Sequence, residues 1–354
     1  MKTKFVIIGG GIAGLCAAIR LSELGEESLL IEGGAYPAHK ICGEFLSPEC
    51  IDYLTGWNIH PTPISQVALS TSTSRLLFSF PSPAGGMSHV KLDPALADYA
   101  SARGVKIKTH TQVNAFQPKK HAKDRHLIQL SNNETIEAVN VMIAAGRFPT
   151  YSRQPPHMLY MGFKAHFDRI PLEMAMIEMF SLPGAYLGIS PIEDNKFNVA
   201  CIADLKKVKQ TDPFLFIQSL ISQDPCLHSL LSHGNNLFDH WMVASLPAFG
   251  IKQTPDWLDV YFIGDAAITI PPACGNGLSM AIFGGRLAAE YSVRQQFHDF
   301  KIMWIKRCSS QLFWAKALHK LMLNPSYSKP LLHLTNYFPY IGKKVFASTR
   351  QSSK

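Results

Sequence analysis

The sequence predicts an α/β fold, because strands and helices alternate near both ends of residues 1–300 and a β-rich region lies between them. The first observation is an apolar strand followed by glycines and a helix within residues 5–32. The second is a similar strand, loop and helix at residues 261–285. The third is a set of short alternating apolar and polar segments at 156–204, which predicts antiparallel strands.

Composition limits the class of protein. With 354 residues, of which 47% are hydrophobic and 17% charged, the chain is long enough for two folded domains and is not typical of disorder. The seven cysteines are scattered and show no metal-ligand spacing. We therefore expect reduced thiols, no metal site and a cytoplasmic location.

The formal net charge is +8, with basic residues concentrated at 119–125 and from Lys301 onward. A solvated surface is the ordinary interpretation of such runs. The alternative is an anionic partner: a phosphorylated or carboxylated substrate, an acidic carrier protein or a membrane surface. We expect no nucleic-acid partner. No apolar run reaches the roughly 18 residues needed to span a bilayer, so we expect a soluble or peripheral protein.

The strand KFVIIGG leads into a helix through Gly9, Gly11 and Gly14, which have G-x-G-x-x-G spacing. Gly9 suits a tight turn, Gly11 a close approach of pyrophosphate, and Gly14 close packing of helix on strand. The N–H groups that open the helix favour phosphate. A second strand, SLLIE, ends at Glu32, whose carboxylate can accept hydrogen bonds from ribose hydroxyls. This unit predicts dinucleotide binding without distinguishing FAD from NAD.

The second glycine-rich segment, VYFIGDAAITIPPACGNG, favours a flavin. Asp265 can accept hydrogen bonds from a ribityl chain, while Gly264 keeps the turn open. The prolines at 271 and 272 predict a rigid wall beside an isoalloxazine ring. N–H groups at Gly277 and Leu278 open a helix whose dipole favours negative charge on a reduced flavin. Together the two segments predict FAD.

These segments resemble those of the para-hydroxybenzoate hydroxylase and geranylgeranyl reductase superfamily. Four further motifs carry the resemblance: HKICGEFLSPE (39–49), LDPALADYASARGVKI (92–107), AAGRFPTYSR (144–153) and GISPIEDNKFNVACI (188–202). The resemblance implies a glutathione-reductase-type, Rossmann-like FAD-binding domain with an inserted antiparallel-sheet substrate domain and C-terminal helices. It divides the chain into an FAD-binding domain (1–60, 89–155 and 250–299), a substrate domain (61–88 and 156–249) and a helical region (300–354).

The motifs and the resemblance together predict a set of cofactor-binding residues. They are Gly9, Gly11, Ile12, Ala13, Gly14, Glu32, Gly33, Lys40, Cys42, Gly43, Val113, Ala145, Gly146, Gly264, Asp265, Pro272, Gly275, Asn276, Gly277 and Leu278.

The chain also departs from its relatives. His89 stands where many of them carry arginine before the Leu-Asp pair, and Ile268 stands where aromatic hydroxylases often carry histidine. Ala145-Gly146 replaces an Asp-Gly pair that is linked to FAD and NADPH binding in the hydroxylases. The electron donor is therefore left open between NAD(P)H and a separate reductase.

Cys42 and Glu44 are the candidate catalytic residues. Cys42 can tune or shield a flavin or donate a proton, and an inert packed thiol is the alternative. Glu44 can act as an acid or base if burial raises its pKa, and a structural hydrogen bond is the alternative. Methionine and phenylalanine residues at 158–180 suggest an apolar substrate chamber or an ordinary sheet core.

Three functions are consistent with these observations. A monooxygenase, hydroxylating or epoxidising an apolar or aromatic substrate through a flavin hydroperoxide, is favoured because it requires little acid–base machinery. The substrate could be carrier-bound or lipid-like. The alternative is a geranylgeranyl-reductase-like enzyme acting on C=C bonds, and a remote alternative is a non-catalytic escort of prenylated partners. The basic amphipathic pattern of the C-terminal helices predicts packing on the body or attachment to a membrane.

Overall fold

The computed structural model describes residues 1–147, 158–208 and 212–330. Its helices are α1 (Ile12–Glu23), α2 (Ile51–Gly56), α3 (His89–Ala102), α4 (Pro213–Ser222), α5 (Pro225–His233), α6 (Gly277–Val293) and α7 (Phe297–Met322). Its strands are β1 (Lys2–Ile8), β2 (Ser28–Ile31), β3 (Phe45–Leu46), β4 (Thr62–Thr71), β5 (Ser74–Gly86), β6 (Lys106–Lys108), β7 (Val113–Gln117), β8 (His126–Leu130), β9 (Thr135–Ile143), β10 (Met158–Asp168), β11 (Met176–Leu182), β12 (Ala185–Pro191), β13 (Phe197–Asp204), β14 (Asn235–Asn236), β15 (Met242–Pro247), β16 (Gly250–Ile251), β17 (Val260–Phe262) and β18 (Ile268–Thr269).

The first sheet has the order β6-β2-β1-β9-β8-β7. The remaining strand, β17, pairs with residues 141–143 of β9 on the edge opposite β1. The pairs among β6, β2, β1, β9 and β17 are parallel, whereas β7, β8 and β9 form an antiparallel meander. The parallel strands are buried apolar runs, as expected where helices cover a sheet. This arrangement places the carboxyl ends of β1 and β17 at one edge of the sheet.

Helices α1 and α6 lie unusually close together. A Cβ built on Gly285 of α6 would lie 2.2 Å from the carbonyl oxygen of Ala13 in α1. The absence of a side chain at Gly285 therefore lets the two helices approach to backbone contact. As a result, the glycine-rich segments at the two ends of residues 1–300 form one site.

The second sheet has the order β14-β10-β13-β12-β11-β4-β5-β3, with β15 pairing β10. The sheet was predicted to be antiparallel, and this is correct for its pairs except one: β4 and β11 are parallel. Parallel pairing needs a long connection, and here residues 72–175 supply it by passing through the first sheet. β3 also joins this sheet, although it lies within the 1–60 segment assigned to the first domain.

The remaining helices cover the ends of the structure. Asp212 and Asp224 are the N-caps of α4 and α5. Their carboxylates accept hydrogen bonds from the first backbone N–H groups of each helix. α7 packs on the core of the first sheet through buried Phe300 and Trp304. Residues 331–354 of the predicted helical region lie outside the described residues. Among the described helices, none is long and apolar enough to cross a membrane.

Candidate functional site

The first glycine turn has the geometry that its spacing predicts. Gly9 has a φ of +104°, and a Cβ at this position would lie 2.4 Å from the Ala144 carbonyl oxygen. A Cβ on Gly14 would lie 1.9 Å from the Gly9 carbonyl oxygen. By contrast, a Cβ on Gly11 would meet only the Lys40 Nζ, at 3.8 Å. The turn is therefore closed by backbone on two sides and open toward Lys40 at Gly11.

Helix α1 begins in this opening. Gly11 is its N-cap, no side chain caps its N–H groups, and its first turn contains no acidic residue. The N–H groups of Ile12 and Ala13 and the nearby Lys40 ammonium thus combine a helix dipole with a positive charge. This is a site for an anion such as pyrophosphate.

Glu32 lies at the carboxyl end of β2, beside the turn. Its carboxylate accepts hydrogen bonds from the backbone N–H of Gly10 at 2.5 Å and of Gly34 at 2.8 Å. The Tyr36 hydroxyl donates to the Gly10 carbonyl oxygen at 2.5 Å. Tyr36 was not identified from the sequence, because its role depends on a contact across 26 residues.

The other predicted residues of this region lie nearby. Gly33 faces Gln112, whose side chain would be 3.3 Å from a Cβ on Gly33, and Val113 follows as the first residue of β7. These residues are placed to border the adenosine half of a dinucleotide. Ala145 is exposed and Gly146 has a φ of +75°, both just after β9.

The second glycine-rich segment meets the first at the same edge of the sheet. After β17, Gly264 adopts a φ of +57°, and a Cβ there would lie 2.8 Å from the Ala13 Cβ. The Asp265 carboxylate accepts a hydrogen bond from Arg147 Nε at 3.2 Å. Arg147 also donates to the Ile41 carbonyl oxygen at 3.0 Å. Arg147 is a site residue that sequence reasoning missed, although it directly follows the predicted Ala145-Gly146 pair.

Helix α6 opens onto the same space. It begins at Gly277 with Asn276 as N-cap, and its first turn contains no acidic residue. Gly275, at a φ of +65°, packs against the Phe45 ring, which a Cβ would approach to 2.4 Å. The uncapped N–H groups at Gly277 and Leu278 give this helix a positive end for the pyrimidine edge of a flavin.

A cavity of about 440 Å³ joins these parts. Predicted cofactor residues that line it are Gly11, Ile12, Ala13, Lys40, Cys42, Gly43, Gly146, Gly264, Asp265, Pro272, Gly275, Gly277 and Leu278. Those that do not are Gly9, Gly14, Glu32, Gly33, Val113, Ala145 and Asn276, which shape the turns or border its far end. The cavity continues between the second sheet and α7, where its lining is mostly apolar: Val67, Leu69, Phe78, Ile177, Met179, Tyr186, Leu246, Phe249, Leu318, Leu321 and Met322.

The half-buried thiol of Cys42 lies where the polar and apolar parts of the cavity meet. The His89 imidazole lies close enough to change its ionisation, and the Glu44 backbone N–H donates to its Sγ over 3.4 Å. His89 Nδ1 is 2.9 Å from Asp93 Oδ1, and Lys40 Nζ is 2.6 Å from Asp93 Oδ2. Cys42, His89, Asp93 and Lys40 thus form a continuous chain, here termed the thiol relay.

The relay changes the ionisation of its members. Burial alone would raise the pKa of Cys42, but the hydrogen bond and charge of His89 lower it below its ordinary value. Burial alone would lower the pKa of His89, but the hydrogen bonds to Asp93 and Cys42 raise it to about 9. The two shifts act in the same direction, and both favour transfer of the thiol proton to the imidazole.

Glu44 belongs to a different cluster. Its fully buried carboxylate pairs with the buried Lys164 ammonium and lies 2.7 Å from His166 Nε2. It also accepts the His89 backbone N–H at 2.8 Å. Burial would raise the pKa of Glu44, but His166 and Lys164 together lower it. The lowered pKa favours the charged form of Glu44 and a structural hydrogen-bonding role, and its role as an acid or base stays a prediction.

The Glu44 cluster fixes the loop that carries Cys42. Lys164 Nζ donates to the Lys40 carbonyl oxygen at 2.9 Å, and Asn198 Nδ2 donates to the Cys42 carbonyl oxygen at 3.1 Å. Both donors come from the second sheet. Glu44 itself has a φ of +52°, a conformation that is uncommon outside glycine and is held here by its partners.

The residues present fit FAD. The pyrophosphate would fit beside Gly11, where the N-terminus of α1 has no side-chain cap and Lys40 lies nearby. Glu32 suits the ribose of the adenosine, and Asp265 suits the ribityl chain of the flavin. The α6 N-terminus and the adjoining cavity suit the ring system. These are the residues that would hold the cofactor.

Comparison with known proteins agrees with this interpretation. Residues 4–39 match the family model described as an FAD binding domain. Menaquinone reductase of Mycolicibacterium smegmatis is 21% identical over 347 residues, spanning 86% of this chain and 79% of that protein.

Two solved structures show how widely the fold is shared. A flavin-dependent brominase superposes with a TM-score of 0.83 at 16% identity, covering 99% of this chain and 93% of that chain. A geranylgeranyl bacteriochlorophyll reductase-like protein from Thermoplasma acidophilum superposes with a TM-score of 0.73 at 16% identity, covering 98% and 99%. The chain therefore has the fold of FAD-dependent oxidoreductases, and its residues 4–39 match an FAD binding domain.

Proposed function

We propose that the protein is an FAD-dependent reductase that adds two hydrogens across a C=C bond of a long apolar substrate such as a polyprenyl chain. The single observation that carries the proposal is the thiol relay, which opens into a cavity whose remaining walls are mostly apolar. An elongated hydrocarbon fits such walls, and reduction of its C=C bond requires a proton at one carbon.

The chain's own residues supply that proton. FAD, when bound and reduced, supplies a hydride to the substrate. The proton that the thiol and His89 share passes through the Cys42 sulfur to the neighbouring carbon, so that the former double bond gains one hydrogen at each end. Asp93 keeps the imidazole oriented through Nδ1 during this transfer. Solvent restores the proton of His89 and completes the cycle.

Relatives support the same substrate class without establishing it for this chain. The names of two similar proteins refer to menaquinone and to geranylgeranyl bacteriochlorophyll. An apolar tail of this kind matches the cavity lining at Leu69, Phe78 and Met179.

The test is an anaerobic turnover. Protein loaded with FAD and reduced with dithionite is mixed with menaquinone-4, whose side chain contains C=C bonds, and the product is analysed by mass spectrometry. After reoxidation of the ring to the quinone in air, the expected product is heavier by two hydrogens, and these lie in the side chain. Recovery of unchanged side chain from active, flavin-loaded protein contradicts the proposal for this substrate class.

A monooxygenase remains the second candidate, because the same apolar cavity also suits oxygen transfer, in which water must be excluded. The reason for favouring it from the sequence was the lack of acid–base groups, and the thiol relay removes that reason. Substrate-dependent oxygen consumption with a product that gains one oxygen atom would support the monooxygenase. The electron donor, NAD(P)H or a separate reductase, stays a prediction.

A further inference from the structure

The outward side of α7 carries an unusual combination of side chains. Exposed apolar residues occur at Ile302, Met303, Ile305 and Phe313, with Ile302 and Phe313 exposed to 68% and 66%. Lysines 306, 316 and 320 are also exposed, and at 3.6 residues per turn they share a side of the helix with Ile302 and Phe313, with Met303 and Ile305 at its borders. We call these seven positions the outer face of α7.

The charge of this face has one sign. Within α7 the single acidic residue is Asp299, in the first turn, and it precedes the outer face. Lys301 is not part of the outer face, and its Nζ forms an ion pair with Asp256 Oδ1 at 2.7 Å. Lys316 extends the basic surface to β16, since its Nζ would be 3.5 Å from a Cβ on Gly250, next to exposed Ile251.

The opposite side of the same helix borders the cavity. Leu318, Leu321 and Met322 contribute to the apolar lining described above. A helix of this length extends about 39 Å, so it can lie along a surface while its C-terminal half stays in the cavity wall. An apolar substrate therefore has a short route between that surface and the cavity.

We infer that the outer face of α7 docks the protein on an anionic phospholipid bilayer, with the helix parallel to the membrane plane. Apolar side chains enter the boundary between headgroups and acyl chains, while the lysines contact lipid phosphates. Apolar and lysine side chains are interspersed on this face. At the boundary the apolar groups can reach the acyl chains, while the lysine ammonium groups stay at the level of the headgroups. The inference holds whether the substrate is reduced or oxygenated.

Co-sedimentation of the full-length, FAD-loaded chain with large vesicles tests this assignment. Vesicles of phosphatidylcholine containing phosphatidylglycerol are compared with vesicles of phosphatidylcholine alone. We expect binding to the anionic vesicles that weakens with salt. Reversal of three charges, K306E/K316E/K320E, should weaken binding by at least about a hundredfold, since loss of each lysine near the surface costs about fivefold and each glutamate adds repulsion. The variant I302S/I305S/F313S should weaken it about tenfold or more.

A matched control reverses three charges elsewhere. Lys120, Lys123 and Arg125 are exposed on the loop between β7 and β8, and K120E/K123E/R125E changes the net charge by the same amount. Flavin absorbance and the thermal midpoint confirm that each variant is folded. The control should keep nearly all of the binding.

Four outcomes would overturn the inference. They are no sedimentation with anionic vesicles, equal binding to neutral vesicles, equal loss in the control variant, and full binding by both α7 variants.

Discussion

Two buried charge clusters lie on opposite sides of the loop at residues 40–44, and they differ in what surrounds them. The Glu44–Lys164–His166 cluster is almost completely buried and ties the loop to β10 of the second sheet. The thiol relay of Cys42, His89, Asp93 and Lys40 reaches the cavity through a half-buried thiol and a lysine side chain that is 42% exposed. Glu44 also lines the cavity but is fully buried, so the first cluster is closed to solvent, whereas the relay is open to solvent through Lys40.

The difference separates stability from chemistry. Ions buried without access to solvent cannot exchange protons readily, and each depends on its partner for stability. A thiol paired with a protonated imidazole at a cavity wall can deliver and regain a proton. The comparison therefore predicts that changes in the closed cluster unfold the protein, whereas changes in the open one slow the reaction.

The largest expected effect comes from breaking the closed cluster. Lys164→Met leaves the Glu44 carboxylate buried with one partner lost, and we expect the free energy of unfolding to fall by about 3–5 kcal/mol. Denaturation by urea measures it. The double variant E44Q/K164M should lose less than K164M alone, because no unpaired charge remains. Additive losses in the double variant would mean that the pair is not coupled.

Removing the thiol should act on turnover alone. Cys42→Ser replaces the sulfur by a much weaker acid, and we expect turnover to fall by about 10²–10⁴-fold with the free energy of unfolding changed by less than about 1 kcal/mol. Flavin content should be unchanged. Cys50→Ala is the control, since Cys50 is buried outside the cavity. If C42S retained full turnover, Cys42 would have a packing role only and would not donate the proton.

The relay should also appear in the pH dependence. Because the pKa of His89 is raised to about 9, its proton is available below that pH, and turnover should fall as the pH rises through 9. In His89→Gln this limb should disappear and the pKa of Cys42 should rise. Alkylation of Cys42 by iodoacetamide at pH 7 should then slow about tenfold. An alkylation rate that is unaltered in H89Q would show that His89 does not govern the thiol.

The smallest effect is expected at Lys40, the exposed end of the relay. Lys40→Gln removes a charge near Gly11 that is partly screened by solvent, so the dissociation constant of FAD should rise about threefold to tenfold. Added salt should narrow the difference between K40Q and the native chain, because salt screens the exposed ammonium. Fluorescence titration of flavin-free protein with FAD measures both. A difference that does not depend on salt would point to a steric cause.

The parts of the molecule that sequence could predict are those determined by neighbouring residues. The turn geometry of Gly9, Gly11 and Gly14 follows from a local motif, and the structure shows the predicted close approaches at Gly9 and Gly14. The buried strands β1, β2 and β17 follow from apolar runs between glycines. Their roles toward FAD stay predictions at the level of individual residues.

The thiol relay and the Glu44 cluster could not be predicted in the same way. Cys42 and His89 are brought together by α3, and Glu44 meets Lys164 across 120 residues through the second sheet. His89 was noticed only as a departure from arginine, and its role became visible once Asp93, one helical turn later, lay beside it. The parallel pairing of β4 with β11 could not be predicted either, because the two strands lie far apart in the sequence.

The most direct measurement is a crystal structure of the FAD-loaded protein with menaquinone-4, prepared under anaerobic conditions. We predict that a C=C bond of the side chain lies in the apolar cavity, with Cys42 Sγ within about 4 Å of one of its carbons. The proposed mechanism is contradicted if the flavin ring or the protein separates Cys42 from the substrate, because the thiol could then not deliver the proton.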